Sequence, residues 1–341
     1  MPRPCFSLAV MIAEDVRQTR PGDWVDVAVR LFSWSMLSAV GVFLLNNVLV
    51  LGLDWPGIAP VFFDPAPGVL SWIQMFAYLV GILVAVVYVL YSPGRSLRSD
   101  GFLISDINTF LVRAAFWIVL LVGIGDMIIS FIRVEGWLDA FVGESTARSL
   151  SRPEFRGMYV HIPLMILAVV IASFNRSLGF FWLSLLIVIA ELAIVFTRFI
   201  FSYEQAFMGD LVRFWYGALF LFASAYTLLE EAHVRVDVFY AGYSTRKRAL
   251  VNAIGSIFLG LSVSWTIMII GMGSEVGIIN MPVINFEVSQ SGYGMYVKYL
   301  MASFLGVFAV TMAVQFISYF LDAIADYRGD PGKRQPTAPV A

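Results

Sequence analysis

The chain has 341 residues, 60% of them hydrophobic and 13% charged, and its mean hydropathy is +0.82. Such an apolar share exceeds that of soluble globular domains and predicts an all-α integral membrane protein. A net charge of −2, one cysteine and two histidines argue against nucleic-acid binding through bulk charge, an internal disulfide framework and structural zinc or iron–sulfur sites.

Eight apolar runs come near or above the ~20 residues that a bilayer-spanning helix needs. They cover residues 31–53, 68–91, 108–131, 157–174, 178–201, 205–229, 250–271 and 296–321. Residues 1–30 read as a cytoplasmic leader and 322–341 as a polar cytoplasmic tail. The fourth run is the shortest, and its Pro163 is expected in the first turns, where a missing N–H costs little. The links carry turn-forming residues such as "DWPGIAPVFFDPAPG" and "YSPGRSLRSDG", and none is long enough to bury a core.

Basic residues collect in the leader, in the even-numbered links and in the tail, which puts both termini on the cytoplasmic side. The third link, with Arg133, Arg148, Arg152 and Arg156, is the one dissenting loop. Two short repeats share one offset: "RSDGF" at 98–102 matches "RVDVF" at 235–239, and "GMYV" begins at Gly157 and at Gly294, both pairs 137 residues apart. The shared offset suggests two four-helix units, residues 31–174 and 175–321, in parallel orientation. Chance similarity between membrane segments is the alternative.

Ionisable groups inside apolar runs are costly and need an account. Asp126, near the outward end of the third run, is expected to reach water. Glu191 and Arg198 lie seven residues apart on one helical face, and with Asp210 they form either an intramembrane polar tether or part of an ion or proton path. Arg198 and Arg213 can snorkel to the interface. The tail sequence "GDPGKRQ" lacks a full phosphate-loop pattern, His161 and His233 fall on opposite predicted sides, and no hydrolase motif occurs. No catalytic, cofactor-binding or metal-ligating residue is therefore assigned.

The link "EEAHVRVDVFY" at 230–240 alternates His233, Arg235 and Asp237 with valines. An isolated strand cannot satisfy its backbone beside a membrane. As an interfacial helix the segment sets Val234 and Val238 on one face and Glu231 four residues before Arg235, and this reading is preferred to a solvated loop. The basic cluster Arg246, Lys247 and Arg248 reads as a lipid-interface patch.

Together the run "FTRFIFSYEQAFMGDLVRFWYGALFLFASAYTLLEEAHVRVDVFYAGYSTRKRAL" and its His233-Val234-Arg235-Val236-Asp237 core resemble the small, DctQ-like membrane subunit of tripartite ATP-independent periplasmic (TRAP) transporters. The resemblance covers about residues 178–321. The family's small subunits usually have four membrane helices, so residues 31–174 are an enlargement, and of the family's paired acidic residues only Asp210 is present in "MGDLVRFW". The resemblance implies a non-catalytic subunit of a bacterial inner-membrane complex. It would brace the scaffold of a large permease that takes solute from a periplasmic binding protein and carries the sodium coupling. In this motif, the candidate partner contact, His233 and Asp237 would hydrogen-bond the link to adjacent helix ends or to that partner, and Arg235 would pair with Glu230, Glu231 or a lipid phosphate. An autonomous eight-helix carrier or channel using Glu191 and Arg198 is the alternative.

Overall fold

The computed structural model describes residues 23–177, 179–203, 205–230, 238–289 and 294–333. Among these residues eight helices are long and apolar enough to cross a membrane, and no strand occurs. They are α1 (Trp24–Leu53), α2 (Val69–Tyr91), α3 (Leu97–Val134), α4 (Pro153–Phe174), α5 (Phe180–Phe201), α6 (Ala206–Leu229), α7 (Thr245–Met272) and α8 (Lys298–Arg328). The all-helical, eight-span expectation holds. Residues His233, Arg235 and Asp237 lie outside the described residues.

Several helices begin or end beyond their apolar runs, because their polar end turns find partners. α1 starts at Trp24, where Asp23 accepts a hydrogen bond from the Val25 N–H and so satisfies one free amide of the first turn. α4 differs from expectation. It starts at Pro153, which places Pro163 eleven residues in, directly after a π-helical turn at Gly157–His161. A proline in a helix interior removes one amide and crowds the carbonyl four residues back, and a wider turn relieves both.

The chain divides into two compact units. The first contains α1, α2, the opening turns of α3 as far as Ile107, the end of α6, α7 as far as Trp265 and α8 from Met312. Here α1 and α2 form an antiparallel pair joined by residues 54–68, which include a short helix, Ala59–Phe63. They approach closely at Gly81, where an added Cβ would lie 2.8 Å from a Val42 methyl group. Phe32 packs edge-on against Phe320 of α8, and Phe43 against Trp265 of α7.

The second unit contains the rest of α3, then α4, α5, most of α6, the end of α7 and the first half of α8. Its core is aromatic: Phe116 meets Phe180 and Phe222, and Phe304 meets Phe214 and Phe222, with ring centroids 4.5–5.6 Å apart. Trp215 hydrogen-bonds the Val119 carbonyl at 3.3 Å, and the absence of a side chain at Gly123 admits its indole. Between α3 and α4 two short helices, Leu138–Val142 and Glu144–Leu150, bury Leu138, Ala147 and Leu150 against Ile132, Phe155 and Val160.

Candidate functional site

In the second unit Asp126 takes three hydrogen bonds. Its carboxylate is fully buried and does not reach water, contrary to its expected place near the outward end of a span. Burying a charge is tolerable only when its lone pairs are taken up. Oδ1 accepts from Arg156 Nη1 at 2.9 Å and from His161 Nε2 at 3.1 Å, and Oδ2 accepts from the Tyr296 N–H at 2.8 Å. The other ring nitrogen of His161, Nδ1, lies 2.8 Å from the Tyr299 hydroxyl, so the imidazole bridges Asp126 and Tyr299.

Arg156 is also fully buried. It donates to the Leu150 carbonyl at 2.9 Å and to Ser130 Oγ at 3.2 Å, and its guanidinium lies 4.1 Å from the centre of the Tyr296 ring. Arg133 covers the same ring and donates to the Tyr296 hydroxyl and the Gly294 carbonyl. Cations over an aromatic face gain from its quadrupole, more so away from water. Both "GMYV" segments therefore frame one cluster: the first supplies the turn between Arg156 and His161, the second supplies Tyr296.

The first unit has its own buried ionic cluster at the elbow 95–101. Asp100 is fully buried and accepts from Arg30 Nε at 2.7 Å, Trp34 Nε1 at 2.9 Å and Arg95 Nε at 2.7 Å, while Arg30 also donates to Ser92. Arg98 turns the other way, to Asp326 at 2.7 Å and to the carbonyls of Pro331 and Asp330. Arg328 reaches back to Asp23 and Asp26 at 3.1 and 3.2 Å. The "RSDGF" segment is thus a three-way clasp of α1, α3 and α8.

Of the residues singled out by sequence, Asp210 accepts from the Met295 N–H at 3.1 Å and faces Arg213 at 3.6 Å. Glu191 and Arg198 are both exposed on α5. Arg246 and Lys247 are exposed in the first turn of α7, whereas Arg248 folds back on the carbonyls of Tyr243 and Ala241. Outside the spans, the hydrogen bond from Tyr203 to Glu135 pushes the Tyr203 phenol upward in pKa. Among the described residues no group of three or more His, Cys, Asp or Glu is placed to hold a metal ion.

Sequence reading missed Arg156, His161, Tyr296 and Tyr299 because they come from separate segments. The available signal was depth: an acid in one span, and Arg156 and His161 at the same expected end of the next.

Residues 186–326 match the family model described as "Tripartite ATP-independent periplasmic transporters, DctQ component". The chain carries a DctQ domain. Searches of curated proteins and of solved structures returned no match. The DctQ domain runs from the second turn of α5 nearly to the end of α8, and residues 1–185 precede it. Both buried clusters join that preceding segment to the DctQ domain: Asp126 and Arg156 hold Tyr296, and Arg98 holds Asp326. Four of the eight apolar helices, α5–α8, lie wholly or largely within the matched domain.

Proposed function

We propose that this chain is the small membrane subunit of a TRAP transporter in a bacterial inner membrane. It braces the scaffold of a large permease that takes an organic acid or similar small solute from a periplasmic binding protein, with sodium coupling in the permease. The observation that carries this reading is the DctQ match over α5–α8, combined with buried ion pairs that fasten the preceding helices to that domain. A brace must resist displacement while a neighbouring domain moves, and ion pairs buried among further hydrogen bonds hold a defined geometry. Residues 31–174 widen the brace, and the basic links support a cytoplasmic side for the residues before α1 and after α8.

The test is purification of the tagged chain from native membranes, followed by reconstitution. Co-purification of a large permease, with solute uptake only when permease and binding protein are both present, is the expected result. Uptake by this chain alone in liposomes would instead establish an autonomous carrier.

A further inference from the structure

Glu191 stands at the middle of α5, with about 15 Å of helix to either end. In a hydrocarbon core roughly 30 Å thick it lies near the centre, beyond the reach of a glutamate side chain to either interface. It is exposed, and none of the described residues bonds to it. Arg198, three residues from the helix end, can reach the interface; Glu191 cannot. A carboxyl at that depth calls for a donor, and none of the described residues supplies one.

Its neighbours on the same face indicate what does. Ser184, Glu191 and Arg198 recur every seven residues, with Val188 and Val195 four residues after the first two, and all five are exposed. A seven-residue recurrence is the seam spacing by which one helix seats another, and a small residue with polar groups is how helices associate in lipid. Only Leu183 and Ala190 of α5 are buried. The helix therefore has a free flank carrying a packing pattern.

We propose that this flank of α5 seats a membrane helix of the large permease, which presents a cationic or hydrogen-bond-donating side chain to Glu191 at mid-bilayer depth. The proposal rests on the small-subunit reading above. A second copy of this chain does not fit. A two-fold axis along the membrane normal brings equal depths together, so Glu191 would face Glu191. Lipid headgroups do not reach that depth. Since the DctQ match begins at Leu186, all of the flank but Ser184 belongs to the domain that the reading sets beside the permease.

The test uses the complex purified from native membranes, with photoreactive p-benzoylphenylalanine placed singly at Val188 or Val195. Controls carry it at Ile189 or Phe196, exposed positions about a third of a turn away on the same helix. Val188 and Val195 probes are expected to form adducts identified by mass spectrometry as the large permease, and the control probes to give lipid adducts. Glu191→Leu should lower the permease recovered per small subunit by about five-fold, and Glu191→Gln, which keeps hydrogen-bonding capacity, by about two-fold or less. Equal permease adducts from both sets, adducts with a second copy, or unchanged recovery in Glu191→Leu would overturn the proposal. If the permease co-purifies but the Val188 and Val195 probes miss it, the docking flank is wrong and the small-subunit reading stands. If no permease accompanies the wild-type chain, both fall.

Discussion

Asp126 and Arg156 meet across 2.9 Å with both side chains fully buried, and each has further partners that leave the pair dependent on its surroundings. Arg156 Nη2 has no hydrogen-bond partner among the described residues, so the guanidinium is held chiefly by Asp126, Ser130, Leu150 and the Tyr296 ring. Removing one member of such a pair strands the other charge. Arg156→Met or Asp126→Leu should each destabilise the protein by about 3–5 kcal/mol, and the double replacement by clearly less than either. Thermal unfolding of the purified protein checks this, and a double variant as unstable as the sum of the singles would contradict it.

The π turn of α4 gives a second test. An added Cβ at Gly157 would collide with the Phe286 ring and lie 3.3 Å from the Tyr299 hydroxyl. Gly157→Ala should therefore cost about 1–3 kcal/mol through overpacking. Gly41, inside α1, has nothing within 4 Å of an added Cβ, so Gly41→Ala should be neutral or stabilising by about 0.5–1 kcal/mol. Melting temperatures of the two variants, moving in opposite directions, measure whether space or propensity governs each site.

The eight spans were legible because a long apolar run has few other uses, and α2 shows this well: its expected and observed bounds differ by one residue at the start. Ends were less legible. α3 opens at Leu97 and α8 continues to Arg328 because Arg98 pairs with Asp326, and Arg328 with Asp23 and Asp26. Hydropathy registers those residues as polar and cannot register that they are paired. The same blindness hid the Asp126 cluster, whose members come from α3, α4 and the segment leading into α8. The exposure of Glu191 was illegible for a different reason. When every face of a helix is apolar, sequence does not indicate which face meets lipid.

At the elbow, Asp100 should matter far more than its exposed partner. Asp100→Asn leaves the guanidinium of Arg30, itself buried, without its counter-charge and should cost about 3–5 kcal/mol. Arg95 is 38% exposed, and Arg95→Ala should cost no more than about 1 kcal/mol. If both variants melt alike, the elbow is not a buried clasp.

The link at residues 230–240 can be tested apart from the two clusters. His233, Arg235 and Asp237 follow α6 within the DctQ domain, as a sequence motif rather than as charges in a span. If the link serves the partner rather than the fold, replacing all three by alanine should leave the melting temperature of the isolated subunit nearly unchanged, within about 0.5 kcal/mol. It should nevertheless lower solute uptake and permease recovery several-fold, because partner contacts concentrate binding energy in few residues. Arg246→Ala with Lys247→Ala, exposed at the start of α7, serves as the control: charges that only meet anionic lipid should shift membrane association modestly and leave permease recovery intact. Equal losses from the motif and from the basic pair would show that the link contributes charge alone, and unchanged uptake in the triple variant would remove it from the partner interface.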